Sequence, residues 1–190
     1  MTNASLESTP TIVTWTQRLE QATQLDALVQ RMQPLADALL ADKRRADLLR
    51  GMWLGHAIHP IMTFLPLGAW TSSTILDLAG GAQSRQASQR LVAVGILSAV
   101  PTAVAGIAEF GPIARRDQRV AAVHSVSNTA ALVLFAASWN ARRKGAHARG
   151  VALGLLAHAG TGLGGYLGGH LTEARKVSSR HPAYAESSVA

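Results

Sequence analysis

Four long stretches of the chain consist of apolar and small residues without any Asp, Glu, Lys or Arg: 51–76, 91–108, 120–141 and 150–172. A helix that crosses the ~30 Å hydrocarbon core of a bilayer needs roughly 20 mostly apolar residues. Lipid offers no hydrogen-bond partner to backbone N–H and C=O groups, so each crossing segment must be helical. The pattern predicts an all-α fold, a four-helix transmembrane bundle within residues 51–172. Its spans are expected at about residues 54–77, 90–108, 119–140 and 150–171.

The chain outside these stretches has a different pattern. Residues 1–12 are small and polar, and we expect them to be disordered. In residues 13–50, apolar side chains such as Trp15, Leu19 and Val29 recur at helical spacing, with charged residues on the other face. This predicts an amphipathic helical segment that lies on the membrane surface or packs on the bundle. Residues 173–190 are predicted to form a polar tail.

The basic residues indicate how the chain is oriented. More Lys and Arg flank the spans on the side that holds both termini than on the opposite side, so we expect both termini in the cytoplasm. The net charge of +7 would suit a nucleic-acid ligand in a soluble protein. Here the basic residues lie in short loops beside predicted spans, where they contact lipid headgroups. We therefore expect the lipid bilayer as partner, and no nucleic acid.

Antiparallel threading of the spans brings ionisable residues to one membrane face. His56 and His59 lie where the first span begins, and Glu109 lies where the second span ends. His124 is about one turn inside the third span, and His170 is at the end of the fourth. Unpaired polar groups are costly beside lipid, so their convergence needs a reason.

One interpretation is haem b, held by two neutral imidazoles on facing helices. His59 and His124 are the expected axial ligands, with His56 and His170 as alternates and Glu109 as an orienting acceptor. A second interpretation is a divalent metal bound by His59, His124, His170 and Glu109. The third is that no cofactor is bound and the histidines only hydrogen-bond backbone or water near helix ends.

In the last span Gly160, Gly164 and Gly168 recur every four residues, as do Gly165 and Gly169, so one flank of the helix is nearly bare backbone. Such spacing is typical of close helix packing in membranes, within one chain or in a homo-oligomer. The alternative to helix packing is that a flat cofactor lies in the groove that these glycines leave. His158 falls ~18 Å from His170 along the helix, near mid-membrane. It leaves open a small-solute or proton pathway.

Two runs of residues resemble an uncharacterised bacterial membrane family, domain-of-unknown-function family 2231. The first is MWLGHAIHP at 52–60, continued by LPLGAWT at 65–71 and LDL at 76–78, and the second is GGYLGGHL at 164–171. Between them, GIAEF at 106–110 and the Val123-His124 pair are similar to turns of the family. The resemblance implies four transmembrane helices and a bacterial cytoplasmic (inner) membrane location.

The resemblance also suggests a class of function. Some family members are similar to a fusion in which a Rieske-type iron–sulfur domain follows the last helix, which implies electron transfer. This chain has no cysteine, so it would need a separate redox partner. The leading hypothesis is a haem-binding or redox membrane component. The alternatives are a non-catalytic structural subunit or oligomer of a membrane complex, and the solute or proton pathway.

Overall fold

The computed structural model describes residues 9–184, which form helices and turns with no strand among them. The α-helices of this part are α1 Thr11–Gln21, α2 Asp26–Leu40, α3 Lys43–Leu49, α4 His59–Met62, α5 Phe64–Ala79, α6 Arg85–Phe110, α7 Arg115–Arg143 and α8 His147–Gly169. Short 3₁₀ turns lie at Thr23–Leu25, Ala82–Ser84 and Pro182–Tyr184, and a π-helical turn at His170–Ala174 continues α8. The predicted all-α class is confirmed.

The two ends of the chain only partly test the predictions made for them. The predicted disorder of residues 1–12 falls mostly outside the described residues, and α1 already begins at Thr11. The last residues of the predicted polar tail, 185–190, also lie outside the described part. The rest of the tail folds back along the segment before α4: Ala57 N donates to Ser179 O at 2.8 Å, and His181 N to Gly55 O at 2.8 Å.

Within residues 9–184, two segments are long and apolar enough to cross a membrane, Ala82–Phe110 and Arg115–Arg143. They contain α6 and α7 and correspond to the second and third predicted spans, each extended at both ends. The fourth predicted span corresponds to α8, which has 23 residues. Its many glycines lower its mean hydropathy. Helices α5 to α8 pack successively on one another, and α8 also contacts α5.

The first predicted span, 54–77, does not form one helix. Gly51 and Gly55 adopt positive φ angles of 68° and 95°, which places the chain in a turn that other residues rarely adopt. The helix begins only at His59, with Pro60 in the first turn, where its missing N–H breaks no helical bond. Thr63 then separates α4 from α5. The span prediction is therefore wrong for residues 54–58.

The glycines of α8 divide between a side that packs on α7 and a side that does not. A Cβ added at Gly160 would lie 3.1 Å from Ala131 Cβ, and Ser127 Oγ donates to Gly160 O at 2.8 Å. Nothing lies within 4 Å of a Cβ added at Gly165 or Gly169. The prediction that these two glycines pack against a helix is not met within the chain, because they face away from α7.

The amphipathic N-terminal segment packs on the bundle. Val29 and Ala36 of α2 are fully buried and share a core with Phe110, Val120 and Leu167. Beside this core, Arg119 donates to both carboxylate oxygens of Asp26, at 2.8 and 3.0 Å. Apolar burial and the Asp26–Arg119 ion pair thus help to fix the N-terminal segment at the end of the bundle where α6 ends and α7 begins.

Candidate functional site

His59 and His124 are the two predicted ligands that the structure brings together. His59 is the first residue of α4 and His124 lies in the third turn of α7. Their ring centroids are 6.2 Å apart, and the ring planes are nearly perpendicular at 81°. Both side chains are partly buried. Two segments that are distant in sequence therefore place two imidazoles side by side between the helices.

The His59 ring is held against α6. Its Nδ1 lies 2.9 Å from the carbonyl oxygen of Thr102. A carbonyl oxygen only accepts, so Nδ1 carries the proton and Nε2 keeps its lone pair. A Cβ added at Gly106 would lie 2.8 Å from His59 Cε1. Glycine at this position lets the ring lie directly on the α6 backbone.

The His124 ring is held in the same way against α8. Its Nδ1 lies 2.7 Å from the carbonyl oxygen of Gly164, which again leaves the lone pair on Nε2. Asn128, one turn further along α7, donates from Nδ2 to that Nε2 at 3.1 Å. A Cβ added at Gly164 would collide with the Asn128 side chain, and one at Gly168 would lie 3.1 Å from His124 Cε1.

These hydrogen bonds orient both rings for the same chemistry. Metal-binding histidines usually donate one ring N–H to a carbonyl or carboxylate and bind the metal through the other nitrogen. His59 and His124 both show this arrangement, with their N–H groups bonded to the backbone of α6 and α8. The pair thus consists of two imidazoles whose Nδ1–H groups are bonded to backbone carbonyls and whose Nε2 atoms keep their lone pairs.

The structure places His170 elsewhere. Its Nε2 lies 2.8 Å from Glu20 Oε1 of α1, and Arg175 binds the same carboxylate oxygen at 3.4 Å. Arg175 also contacts Asp117 Oδ1 at 3.1 Å. A cleft of about 330 Å³ between α1 and the π turn lies beside this group. His170 therefore ties the N-terminal segment to the end of α8, because the docking of α1 supplies it with a carboxylate.

Glu109 and His56 also have other partners. Glu109 Oε2 accepts the backbone N–H of Ser179 at 2.8 Å, while its Oε1 is buried without a partner among residues 9–184. The carboxylate therefore holds the C-terminal segment instead of orienting an imidazole. His56 is exposed and pairs through its backbone with Arg180. The predicted metal set of His59, His124, His170 and Glu109 is not assembled, and the described chain contains no metal-binding group of three or more such side chains.

His158 lies further along the bundle, among aromatic side chains. Its Nε2 is 2.8 Å from Thr74 Oγ1, and its ring meets the Phe135 ring edge-on at 5.3 Å. Phe135 stacks on Trp70 with centroids 4.0 Å apart. A Cβ added at Gly95 would collide with Trp70, so this glycine lets the indole lie against α6.

A buried ion pair at the opposite end of the bundle was missed by the sequence interpretation. Arg142 of α7 binds Asp77 of α5, and the side chains are only 2% and 3% exposed. Ser88 donates to Asp77 Oδ1 at 2.6 Å, and Ser138 Oγ accepts from Arg142 Nε at 3.2 Å. His147 Nε2 also lies 3.6 Å from Asp77 Oδ1.

Signals for this network were present in the sequence. Ser73 and Asp77, and likewise Ser138 and Arg142, are four residues apart and so share a helix face. A Cβ added at Gly150 would lie 2.5 Å from Arg142 Cγ, so this glycine makes room for the arginine. Arg142 begins the basic run Arg142-Arg143-Lys144, and such a run is typical of a loop, which concealed the place of Arg142 inside the bundle.

Comparison of the sequence with known protein families identifies the family of the chain. The sequence profile of the family described as predicted membrane protein (DUF2231) matches residues 55–180. The matched region runs from the turn before His59 through α8 to the segment held by Glu109, so it contains the whole imidazole pair. No curated protein and no solved structure matches the chain. With two helices able to cross a membrane and a match over most of its length, the chain belongs to the DUF2231 family of predicted membrane proteins.

Proposed function

We propose that this membrane protein is an electron-transfer component that binds haem through His59 and His124. The observation that carries the proposal is the pair of imidazoles with both Nδ1–H groups bonded to backbone carbonyls. The carbonyls of Thr102 and Gly164 hold the rings in orientation and make each Nε2 a better ligand. Haem bound in this way supplies one-electron transfer.

The separation of the two rings supports this ligand role. Imidazoles on opposite sides of one metal ion have centroids roughly 6 Å apart, given metal–nitrogen bonds of ~2.0 Å. The measured separation is 6.2 Å. The Asn128 amide donates a hydrogen bond to His124 Nε2. The Asn128 side chain must therefore move away when this nitrogen binds a metal. The His59 and His124 rings themselves occupy the space over Gly106 and Gly168, so these glycines leave no further room for a flat macrocycle.

A visible spectrum tests the proposal. The full chain is purified in mild detergent from haem-replete cells, and spectra are recorded before and after reduction with dithionite. We expect a Soret band and sharp α-bands on reduction, both lost in His124→Ala and kept in His56→Ala, whose side chain is exposed. A colourless protein without stoichiometric metal would contradict the proposal and leave the structural-subunit alternative.

The four-span arrangement is a second part of the proposal, with α4–α5 and α8 crossing the bilayer beside α6 and α7. Large apolar side chains exposed on each helix support it: Phe64, Ile75 and Leu78 on α5, Leu97 on α6, Val133 on α7, and Leu155, Leu156 and Leu163 on α8. Such extended apolar surface is costly in water and stable in lipid. Both termini would then face the cytoplasm of a bacterial inner membrane.

Cysteine labelling distinguishes four spans from two. The chain has no native cysteine, so Ala41→Cys, Gln83→Cys and Lys144→Cys can each be probed with a membrane-impermeant maleimide. Four spans place Gln83 and Lys144 on one side and Ala41 on the other. Two spans, α6 and α7 alone, would place all three on the same side. Labelling of all three from one side would therefore reject the four-span arrangement.

His158 supports a second candidate function, a proton pathway. It is an ionisable side chain inside the bundle with a hydrogen bond to Thr74, and such residues often mark proton routes in membrane proteins. Proton flux in proteoliposomes that falls in His158→Ala and persists in His56→Ala would support this function. Equal flux in the two variants would reject it.

A further inference from the structure

Exposed apolar side chains gather where α3 meets the turn before α4. Leu48 is 60% exposed, Trp53 63% and Leu54 39%. Trp53 Nε1 donates to Leu48 O at 3.3 Å, so the indole N–H is satisfied by the chain while the ring face stays open. Trp with one polar bond and an open ring is typical of the membrane–water interface.

Basic side chains border this apolar group. Lys43 and Arg44 are exposed at the start of α3. The neighbouring acidic residues already have partners within the chain: Asp42 caps α3 by accepting from Arg45 N at 2.8 Å, and Asp47 pairs with Lys43. Arg44 has no such partner in the described part of the chain, and Arg50 adds a further positive charge. The segment 42–50 is therefore net positive.

The position of the segment connects it with lipid. The chain passes from α3 through the turn directly into α4 and α5, where Ile61, Phe64 and Leu65 are exposed at 44%, 73% and 60%. The open apolar surface thus continues from Trp53 along the outside of the predicted first span. A soluble acidic partner would contact the positive charges of residues 42–50 and would leave the apolar side chains of α4 and α5 exposed to water.

We propose that Lys43, Arg44, Leu48, Trp53 and Leu54, here named the α3 surface, bind the anionic phospholipid headgroups of the leaflet at this end of the bundle. The apolar members enter the headgroup region while the two cations contact lipid phosphates. The proposal requires a membrane protein and is independent of haem binding at His59 and His124. Lipid contact would explain why the exposed side chains of Trp53, Leu48 and Leu54 lie next to the basic residues at the start of α3.

The test measures which lipid contacts Trp53. The full chain is placed in nanodiscs with equal amounts of phosphatidylglycerol and phosphatidylcholine, with bromine, a quencher of tryptophan fluorescence, on one lipid or the other. The chain has four tryptophans, so the signal of Trp53 is obtained as the difference between the native chain and Trp53→Phe. We expect brominated phosphatidylglycerol to quench Trp53 at least about twofold more than brominated phosphatidylcholine, because each basic residue attracts anionic lipid.

A paired variant assigns the preference to the α3 surface. Lys43→Gln with Arg44→Gln should make the two brominated lipids equally effective, and high salt should do the same. The matched control is Arg143→Gln with Lys144→Gln, two exposed basic residues at the opposite end of the bundle, which should keep the preference. Equal quenching by both lipids in the native chain, or no quenching by either, would overturn the proposal. A preference unchanged in the α3 variant would overturn it as well.

Discussion

Arg142 and Asp77 are joined by two parallel hydrogen bonds inside the bundle. Nη1 lies 2.8 Å from Oδ1 and Nη2 lies 2.6 Å from Oδ2. A bidentate arginine–carboxylate pair is a strong and directional contact. Because both side chains are almost fully buried, the charge of each is compensated chiefly by the other and by nearby serines. The pair thereby fixes the register of α5 against α7 at the end of the bundle opposite the imidazoles.

Removal of one member of this pair should be far more harmful than removal of both. Asp77→Ala leaves the arginine charge buried without compensation, and we expect the free energy of unfolding in detergent to fall by about 3–5 kcal/mol. Asp77→Leu combined with Arg142→Met removes both charges and should recover most of that loss. Thermal or denaturant unfolding checks the difference.

The control for this prediction is a neighbouring arginine. Arg143 is exposed and lies over the Trp139 ring at 4.7 Å, so Arg143→Gln should cost about 1 kcal/mol or less. If the Asp77 single variant and the double variant lost the same stability, the pair would not act as a coupled unit.

Adjacent glycines of α8 should respond in opposite ways to alanine. At Gly164 a methyl group would collide with Asn128, which binds His124, so Gly164→Ala should destabilise the protein and weaken the imidazole pair. At Gly165 nothing lies within 4 Å, and Gly165→Ala should leave stability unchanged or raise it by up to about 1 kcal/mol. Melting curves of the two variants check the contrast. Equal effects would mean that the α7–α8 packing described here is wrong.

Docking of the N-terminal segment should weaken in acid. Hydrogen bonds from Arg119 lower the pKa of Asp26 below its ordinary value of 3.8. A carboxyl group with a lowered folded-state pKa stabilises the fold fully above its unfolded-state pKa, and the contribution is lost as pH falls through the folded-state value. Protection of the amides of residues 11–40 against hydrogen exchange, relative to the intrinsic rate at each pH, should therefore hold down to about the ordinary Asp pKa and fall at lower pH.

Substitution of Asp26 isolates this contribution. Asp26→Asn should show faster exchange of residues 11–40 already at neutral pH, because the ion pair is absent at every pH. Asp37→Asn is the matched control, since Asp37 is exposed on the same helix and only accepts from Gln33 at 2.8 Å. Identical exchange in Asp26→Asn and the native chain across the pH range would contradict the prediction.

The C-terminal segment should loosen when Glu109 is removed. Glu109→Ala deletes the acceptor of the Ser179 N–H, so amide exchange in residues 175–184 should increase while α6 stays protected. Glu173→Ala changes a carboxylate that is exposed and should leave that exchange unaltered. If both variants matched the native chain, Glu109 would not hold this segment.

The pairing of His59 with His124 could be predicted from the lengths of the uncharged segments. In an antiparallel bundle these lengths determine the position of each residue along the bundle axis. Depth alone does not fix which way a side chain points. His170 lies at the expected end, but α1 docks there and offers Glu20. Glu109 likewise lies at the expected end and instead binds the returning C-terminal segment. These partners come from outside the spans, and periodicity within a span cannot reveal them.

The start of the first span and the site of Arg142 escaped prediction for local reasons. The length of the uncharged stretch predicts a helix through residues 54–58. Positive φ angles at Gly51 and Gly55 instead place the chain in a turn there. Arg142 belongs to a basic run that looks like a loop. It enters the bundle because Gly150 leaves space for its side chain and Asp77 compensates its charge. Both features depend on contacts between helices.

We propose that His59 and His124, alone among the predicted ligands, bind haem as a pair. The most direct measurement is the reduced-minus-oxidised visible spectrum of four single alanine variants, at His59, His124, His56 and His170, purified under identical conditions with haem content determined. We expect His59→Ala and His124→Ala each to lose the native spectrum, and His56→Ala and His170→Ala to keep it. A native spectrum that survives in both His59→Ala and His124→Ala, or that is lost in His170→Ala, would contradict it.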